Sequence, residues 1–215
     1  MTVRSFVEPT TQGSGMRAIV ADYRAWRALG PGGLPANPLG WAVTTVLARL
    51  GRDTRSPAGD PTPSPGWSLP DRGVRPTMAP YPIPHRQLDQ IPDAAVVADL
   101  VARVGALGRE NGHLARSRFE RHHDAVVVDD PSTPWARGSG GEVAHVHPSQ
   151  GSLHVVAAPG DVGTIIGAGW GERHPLAGRP FLRLPDSYLF LYAPRDADEL
   201  EIVLGIVARV VATAR

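Results

Sequence analysis

Residues 142–156 read EVAHVHPSQGSLHVV, and they place three of the chain's eight histidines within ten positions. Proline, serine, glutamine and glycine at 148–151 are turn residues, and the flanking runs alternate apolar and polar positions, which predicts a β-hairpin with Pro148–Gly151 as its loop. His147 then lies opposite Ser152 and His145 opposite His154. In such an antiparallel pair facing Cβ atoms are roughly 5 Å apart. Because strand side chains alternate, His145, His147, Ser152 and His154 share one face, while Ala144, Val146, Leu153, Val155 and Ala157 share the other. A one-residue slip would move His154 onto the apolar side, so the apolar pattern fixes the register.

The elements around the hairpin set the fold class. Residues 16–29 and 38–50 have helical spacing, with GPGGLPANP between them. Residues 57–92 carry ten prolines, which forbids regular helix or central strand. The tryptophan, methionine and tyrosine within that segment (Trp67, Met78, Tyr81) favour a wall draped over the core. DAAVVADLVARVGAL, with Asp93 as its cap, reads as a third helix. RFERHHDAVVVDD reads as a strand, DVGTIIGAGW as a short helix and SYLFLYAP as another strand. DADELEIVLGIVARVVATAR closes the chain as a helix whose buried stripe is Leu200, Val203, Leu204, Val207 and Val211. Helices followed by strands mixed with helices predict an α+β fold: a small, largely antiparallel sheet packed with helices, a helical N-terminal part and a proline-rich irregular segment. Residues 1–15 read as a flexible arm and 16–215 as one domain.

Composition removes whole classes of chemistry. The 215 residues include no cysteine, which excludes thiolate metal sites and a cysteine nucleophile. They include no lysine either, so all 22 Lys+Arg residues are arginine, and a Schiff base or a phosphate-loop lysine is ruled out. The formal net charge of +1, without basic runs among aromatics, leaves no footprint for nucleic acid or a polybasic membrane patch. The most apolar run, PLGWAVTTVLARLG, is shorter than the roughly 20 residues of a membrane span. A cytoplasmic location is expected, and the arginine-, alanine- and glycine-rich composition suits a high-GC bacterial source.

The histidine face admits three readings: internally bonded rings without chemistry, a metal site, or a proton-transfer site. The hairpin itself supplies no carboxylate on that face, since alternation sends Glu142 to the opposite one. A second constellation, GWGERHPLAG at 169–178, offers Trp170 as an aromatic wall, Glu172, Arg173 as an anion binder and His174 as a proton donor. It also reads as a helix end followed by a proline turn. Tyr192 and Arg195 follow a strand in YLFLYAPRD, where Arg195 is equally suited to the first turn of the last helix.

Taken together, DYRAW…GPGGLPANPLGW, HRQ, EVAHVHPSQGSLHV, GWGERHPLAG and YLFLYAPRDADE resemble the fungal luciferase family and its bacterial luciferase-domain relatives, from about residue 20 to residue 210. The resemblance implies an oxygenase that adds dioxygen to a hydroxylated α-pyrone of the 3-hydroxyhispidin type, without metal or organic cofactor. Combined with the motifs, it marks His145, His147, His154 and His174 as catalytic candidates. Trp170, Glu172, Arg173, Tyr192 and Arg195 become substrate-binding candidates. Two other functions fit the same residues: a binding protein for a small aromatic anion, and a histidine-bound metal enzyme.

Overall fold

A computed structural model describes residues 12–56, 62–180 and 182–215, with side chains from residue 15 onward. The arm expected at residues 1–15 lies largely outside the described residues, and helix α1 (Gln12–Ala28) is already formed at its end. Helix α2 (Pro38–Ala48) starts where Asn37 accepts a hydrogen bond from the Gly40 N–H at 3.0 Å, with Pro38 preset for the first turn. Helix α3 (Ala94–Asn111) leads directly into strand β1 (Gly112–Arg116), which pairs with β2 (Asp124–Val128). A short helix α4 (Pro134–Gly138) precedes the hairpin of β3 (Glu142–Val146) and β4 (Leu153–Val156). Helix α5 (Pro159–Gly167), edge strand β5 (Gly171–Arg173), β6 (Tyr188–Leu191) and helix α6 (Ala197–Ala214) complete the chain.

The six strands form one sheet in the order β1-β2-β3-β4-β6-β5, and every neighbouring pair is antiparallel. The fold is α+β, as expected. Ala144 pairs with Val155, His145 with His154 and Val146 with Leu153, the register predicted for the hairpin. Its turn closes through Gly151 at φ 76°, a left-handed conformation that glycine adopts without steric cost.

One face of the sheet is apolar and packs on α3 and α6. Val126, Ala144, Val155 and Leu189 meet Leu100, Val104, Val203 and Val207 there, all buried. The last helix buries its expected stripe, with Asp196 accepting from the Glu199 N–H at 2.9 Å. The opposite face is polar but is not solvated. Within the proline-rich segment Tyr81, Pro82, His85, Arg86 and Gln87 are all buried, and the Ala79 and Arg86 backbones are bonded to each other over this side. Strands β1 and β5 were not expected, and β5 changes where the residues of GWGERHPLAG point.

Candidate active site beneath the proline-rich segment

The polar face is a row of rings. Pairing across the sheet puts His145, His154, Phe190 and Glu172 in register along β3, β4, β6 and β5. His147 joins the row one pleat away, and its ring centroid lies 5.6 Å from that of His145 and 5.1 Å from that of His154. Tyr188 stacks on His154 with centroids 4.6 Å apart and planes 12° from parallel. All three hairpin histidines are at most 1% exposed. Burial disfavours the charged forms of two of them, pushing His147 down to about 3 and His154 well below the ordinary imidazole range, with neighbouring His147 adding to the second shift.

Two carboxylates reach this face. The first is Glu142, which strict alternation would have sent away. A β-bulge opposite Val126 and Val127 leaves Val143 as the extra residue, since Val126 pairs with Ala144 and Val127 with Glu142. The added residue reverses the alternation. Glu142 Oε1 therefore lies 2.9 Å from His145 Nδ1, and its carboxylate also accepts from Ser117 Oγ at 2.7 Å and from the Arg118 N–H at 2.6 Å. The second is Glu120, from the β1–β2 connection, with Oε2 3.4 Å from His147 Nε2 and Oε1 3.6 Å from His154 Nε2. Burial opposes its ionisation, but its polar neighbours, with the Arg86 guanidinium bonded to both carboxylate oxygens, outweigh burial and hold it well below the usual carboxylate range.

Beside the cluster stands a second acid–imidazole pair. His85 Nε2 lies 3.3 Å from Glu172 Oε1, and Glu172 Oε2 accepts from Arg75 Nε at 2.7 Å and from the Tyr192 hydroxyl at 2.8 Å. Burial alone would raise the Glu172 carboxyl, yet His85, Tyr192 and Arg75 together bring it down to about 2. An ionised Glu172 keeps the His85 proton on Nε2. His85 Nδ1 is buried and has no hydrogen-bond partner, so it is left with a lone pair.

A cavity of about 470 Å³ opens against this assembly. Val43 and Leu47 of α2, Ile83, Phe119 and Leu184 give it apolar walls, and Arg118 and Arg121 also border it, with Arg118 Nη1 donating to the Ser139 carbonyl at 3.0 Å. His85, Glu120, His174 and Tyr188 form its polar side.

The candidates from the second constellation divide between the two faces. Glu172 and Tyr192 belong to the polar face. His174 also lines the cavity, but its Nδ1 accepts from the Leu176 N–H at 3.1 Å and burial pushes its pKa to about 3. Arg173, adjacent to Glu172 on β5, pairs with Leu189 on the apolar side and donates to the Ser56 carbonyl at 2.9 Å. Trp170 lies in the apolar core, donating to the Pro70 carbonyl at 2.7 Å. Arg195 binds Glu199 through Nε at 2.7 Å, at the start of α6. The structure thus gathers the hairpin histidines with His174, Glu172 and Tyr192, and leaves Trp170, Arg173 and Arg195 elsewhere. Sequence reasoning missed His85, Arg86, Glu120 and Tyr188. Of these, His85 and Arg86 stood in the HRQ triplet, a run of polar residues inside the proline-rich segment.

Residues 140–209 match the family model described as Luciferase domain. Luciferases from Armillaria ostoyae and Armillaria mellea are 33% and 32% identical, each over 86% of this chain and 77% of the relative. The luciferase of Neonothopanus nambi is 30% identical over the same shares. The chain belongs to the fungal luciferase family. No solved structure matches it. Among the described residues no helix is long and apolar enough to cross a membrane.

Proposed function

We propose that this luciferase-family protein is an oxygenase that takes an enolic or phenolic ring, of the hydroxylated α-pyrone class, into the cavity beside His85. The observation that carries this reading is His85, backed by Glu172, at the wall of a cavity whose size suits one small planar molecule. Ligand pockets typically span about 300–1,000 Å³ with apolar walls and a few polar groups. Triplet dioxygen reacts poorly with neutral closed-shell molecules, so the substrate must first become electron-rich. His85 Nδ1 accepts the enol proton, and ionised Glu172 stabilises the imidazolium that forms. The ring enolate then supplies the electron pair for the new carbon–oxygen bond to dioxygen. Arg118 and Arg121 offset the negative charge. This assignment moves the base from the hairpin to His85 and the anion-holding role from Arg173 to the cavity arginines.

The test is oxygen uptake and light emission with 3-hydroxyhispidin and with simpler hydroxypyrones. Wild type is compared with His85→Ala and with Val43→Trp, which fills the cavity without touching the polar cluster. Uptake by wild type that is lost in both variants supports the reading. A folded wild type that neither binds nor consumes any of these rings refutes it, and pyrone binding without oxygen uptake favours a binding protein.

A further inference from the structure

We propose that Glu120, His145, His147 and His154 form a binding site for one divalent first-row transition-metal ion. The four side chains each offer a ligand atom, and these atoms all lie within 4.8 Å of one another in a buried position. Glu120 lies 3.4 and 3.6 Å from two of the imidazole nitrogens. Around a tetrahedral ion with bonds of about 2.0–2.1 Å, neighbouring ligand atoms stand roughly 3.3 Å apart. The side chains are close to that spacing already.

The outer partners of the three rings make the case stronger than proximity does. His154 Nδ1 lies 3.0 Å from the Leu189 carbonyl, which can only accept, so Nδ1 carries the proton. His145 Nδ1 lies 2.9 Å from Glu142, whose carboxylate is fixed as an acceptor by two other donors. His147 Nδ1 lies 2.9 Å from Ser152 Oγ, and that hydroxyl donates its own proton to Gln150 Oε1 at 2.8 Å, so it accepts from the ring. All three imidazoles are therefore held as Nδ1–H tautomers with the Nε2 lone pair turned toward the cluster. This is how metal-ligating histidines are oriented: the other nitrogen donates to a carboxylate, a backbone carbonyl or a fixed oxygen.

Two of those lone pairs have no partner at all. His145 Nε2 and His154 Nε2 are buried without a hydrogen bond. Buried acceptors left unpaired beside a carboxylate are costly, and a cation among them satisfies all of them at once. Arg86 supplies part of that charge here, with Nη1 3.1 Å from His147 Nε2. Arg86 also donates to the Pro31 carbonyl at 2.7 Å and to the His85 carbonyl at 2.8 Å, so it can release His147 to an ion and remain in place beside Glu120. Three imidazoles and one carboxylate, with no thiolate in the chain, suit zinc, iron(II) or copper(II) better than calcium or magnesium.

The proposal is independent of the oxygenase reading, because binding can be measured without any substrate. Untagged full-length protein is stripped with chelator and titrated with cobalt(II) and zinc(II), followed by the cobalt d–d spectrum and by calorimetry. One equivalent is expected, with a cobalt spectrum and a rise in Tm. Glu120→Gln and His154→Ala should abolish the spectrum. Ser152→Ala, which removes only an outer partner, should weaken binding about 10- to 100-fold. His122→Ala, outside the cluster, should change nothing. If a ligand variant does not fold, the wild-type titration still decides. A folded wild type that takes up well under one equivalent overturns the site, as does an unchanged spectrum in folded Glu120→Gln and His154→Ala.

Discussion

His85 Nε2 lies 3.3 Å from Glu172 Oε1, a contact that ties the proline-rich segment to the edge strand of the sheet. It pairs a group with a free lone pair to a carboxylate held ionised. Removing the imidazole with His85→Ala should lower kcat for pyrone oxygenation by about 10²- to 10⁴-fold with a smaller change in KM, the range for loss of a general base. Glu172→Gln should fall in the same direction. Steady-state oxygen uptake checks both, and a His85→Ala enzyme with wild-type kcat would remove the base from this position.

Arg173 gives the opposite expectation. It lies across the sheet from the cavity and donates to the Ser56 carbonyl at 2.9 Å. Arg173→Ala should leave turnover within about threefold of wild type, because the residue lies far from developing charge. Stability should drop by about 1–3 kcal/mol as buried bonds are lost. Paired kinetic and urea-denaturation measurements separate these effects, and a large loss of activity at unchanged stability would return Arg173 to the site.

Acid should destabilise the fold early. His174 is neutral in the folded protein, its pKa pushed to about 3 by burial, while in an unfolded chain imidazole titrates near ~6.5. The unfolded state therefore takes up a proton that the folded state refuses. Its contribution to stability is complete above about pH 6.5 and is lost progressively toward pH 3, with a limiting slope of about 1.4 kcal/mol per pH unit. Glu172, folded at about 2, adds to this only below the unfolded carboxylate value near ~4.3. Urea denaturation at pH 7.5, 6 and 5 measures the slope, which His174→Asn should make shallower. Equal stability at all three pH values would contradict the assignment.

Gly151 tests the hairpin. At φ 76° an alanine would be strained, and its Cβ would sit 3.2 Å from Pro92 Cγ and 3.3 Å from Val97 Cγ2. Gly151→Ala should cost about 1–2 kcal/mol. Chemical denaturation reads this directly, and a neutral result would mean that the turn relaxes into another type.

The hairpin register was legible because turn chemistry and strict alternation pointed the same way, and Leu153 and Val155 could be buried in only one register. The final helix was legible for a similar reason, with an acidic start and an apolar stripe. Glu142 was not, because a bulge at Val143 interrupts a period-two pattern without any mark in the apolar sequence. Glu120 and His85 were hidden differently. They reach the site from a turn and from an irregular segment, where no periodicity predicts which way a side chain faces. Arg173 went astray because GWGERHPLAG reads as a loop. Once Gly171–Arg173 forms a strand, neighbouring residues must point to opposite faces.

The matched family domain, residues 140–209, contains the three hairpin histidines and Glu172 but neither Glu120, Arg86 nor His85. A fragment cut to that domain would keep three imidazoles and lose the carboxylate that closes their ring, the guanidinium beside it and the partner of Glu172.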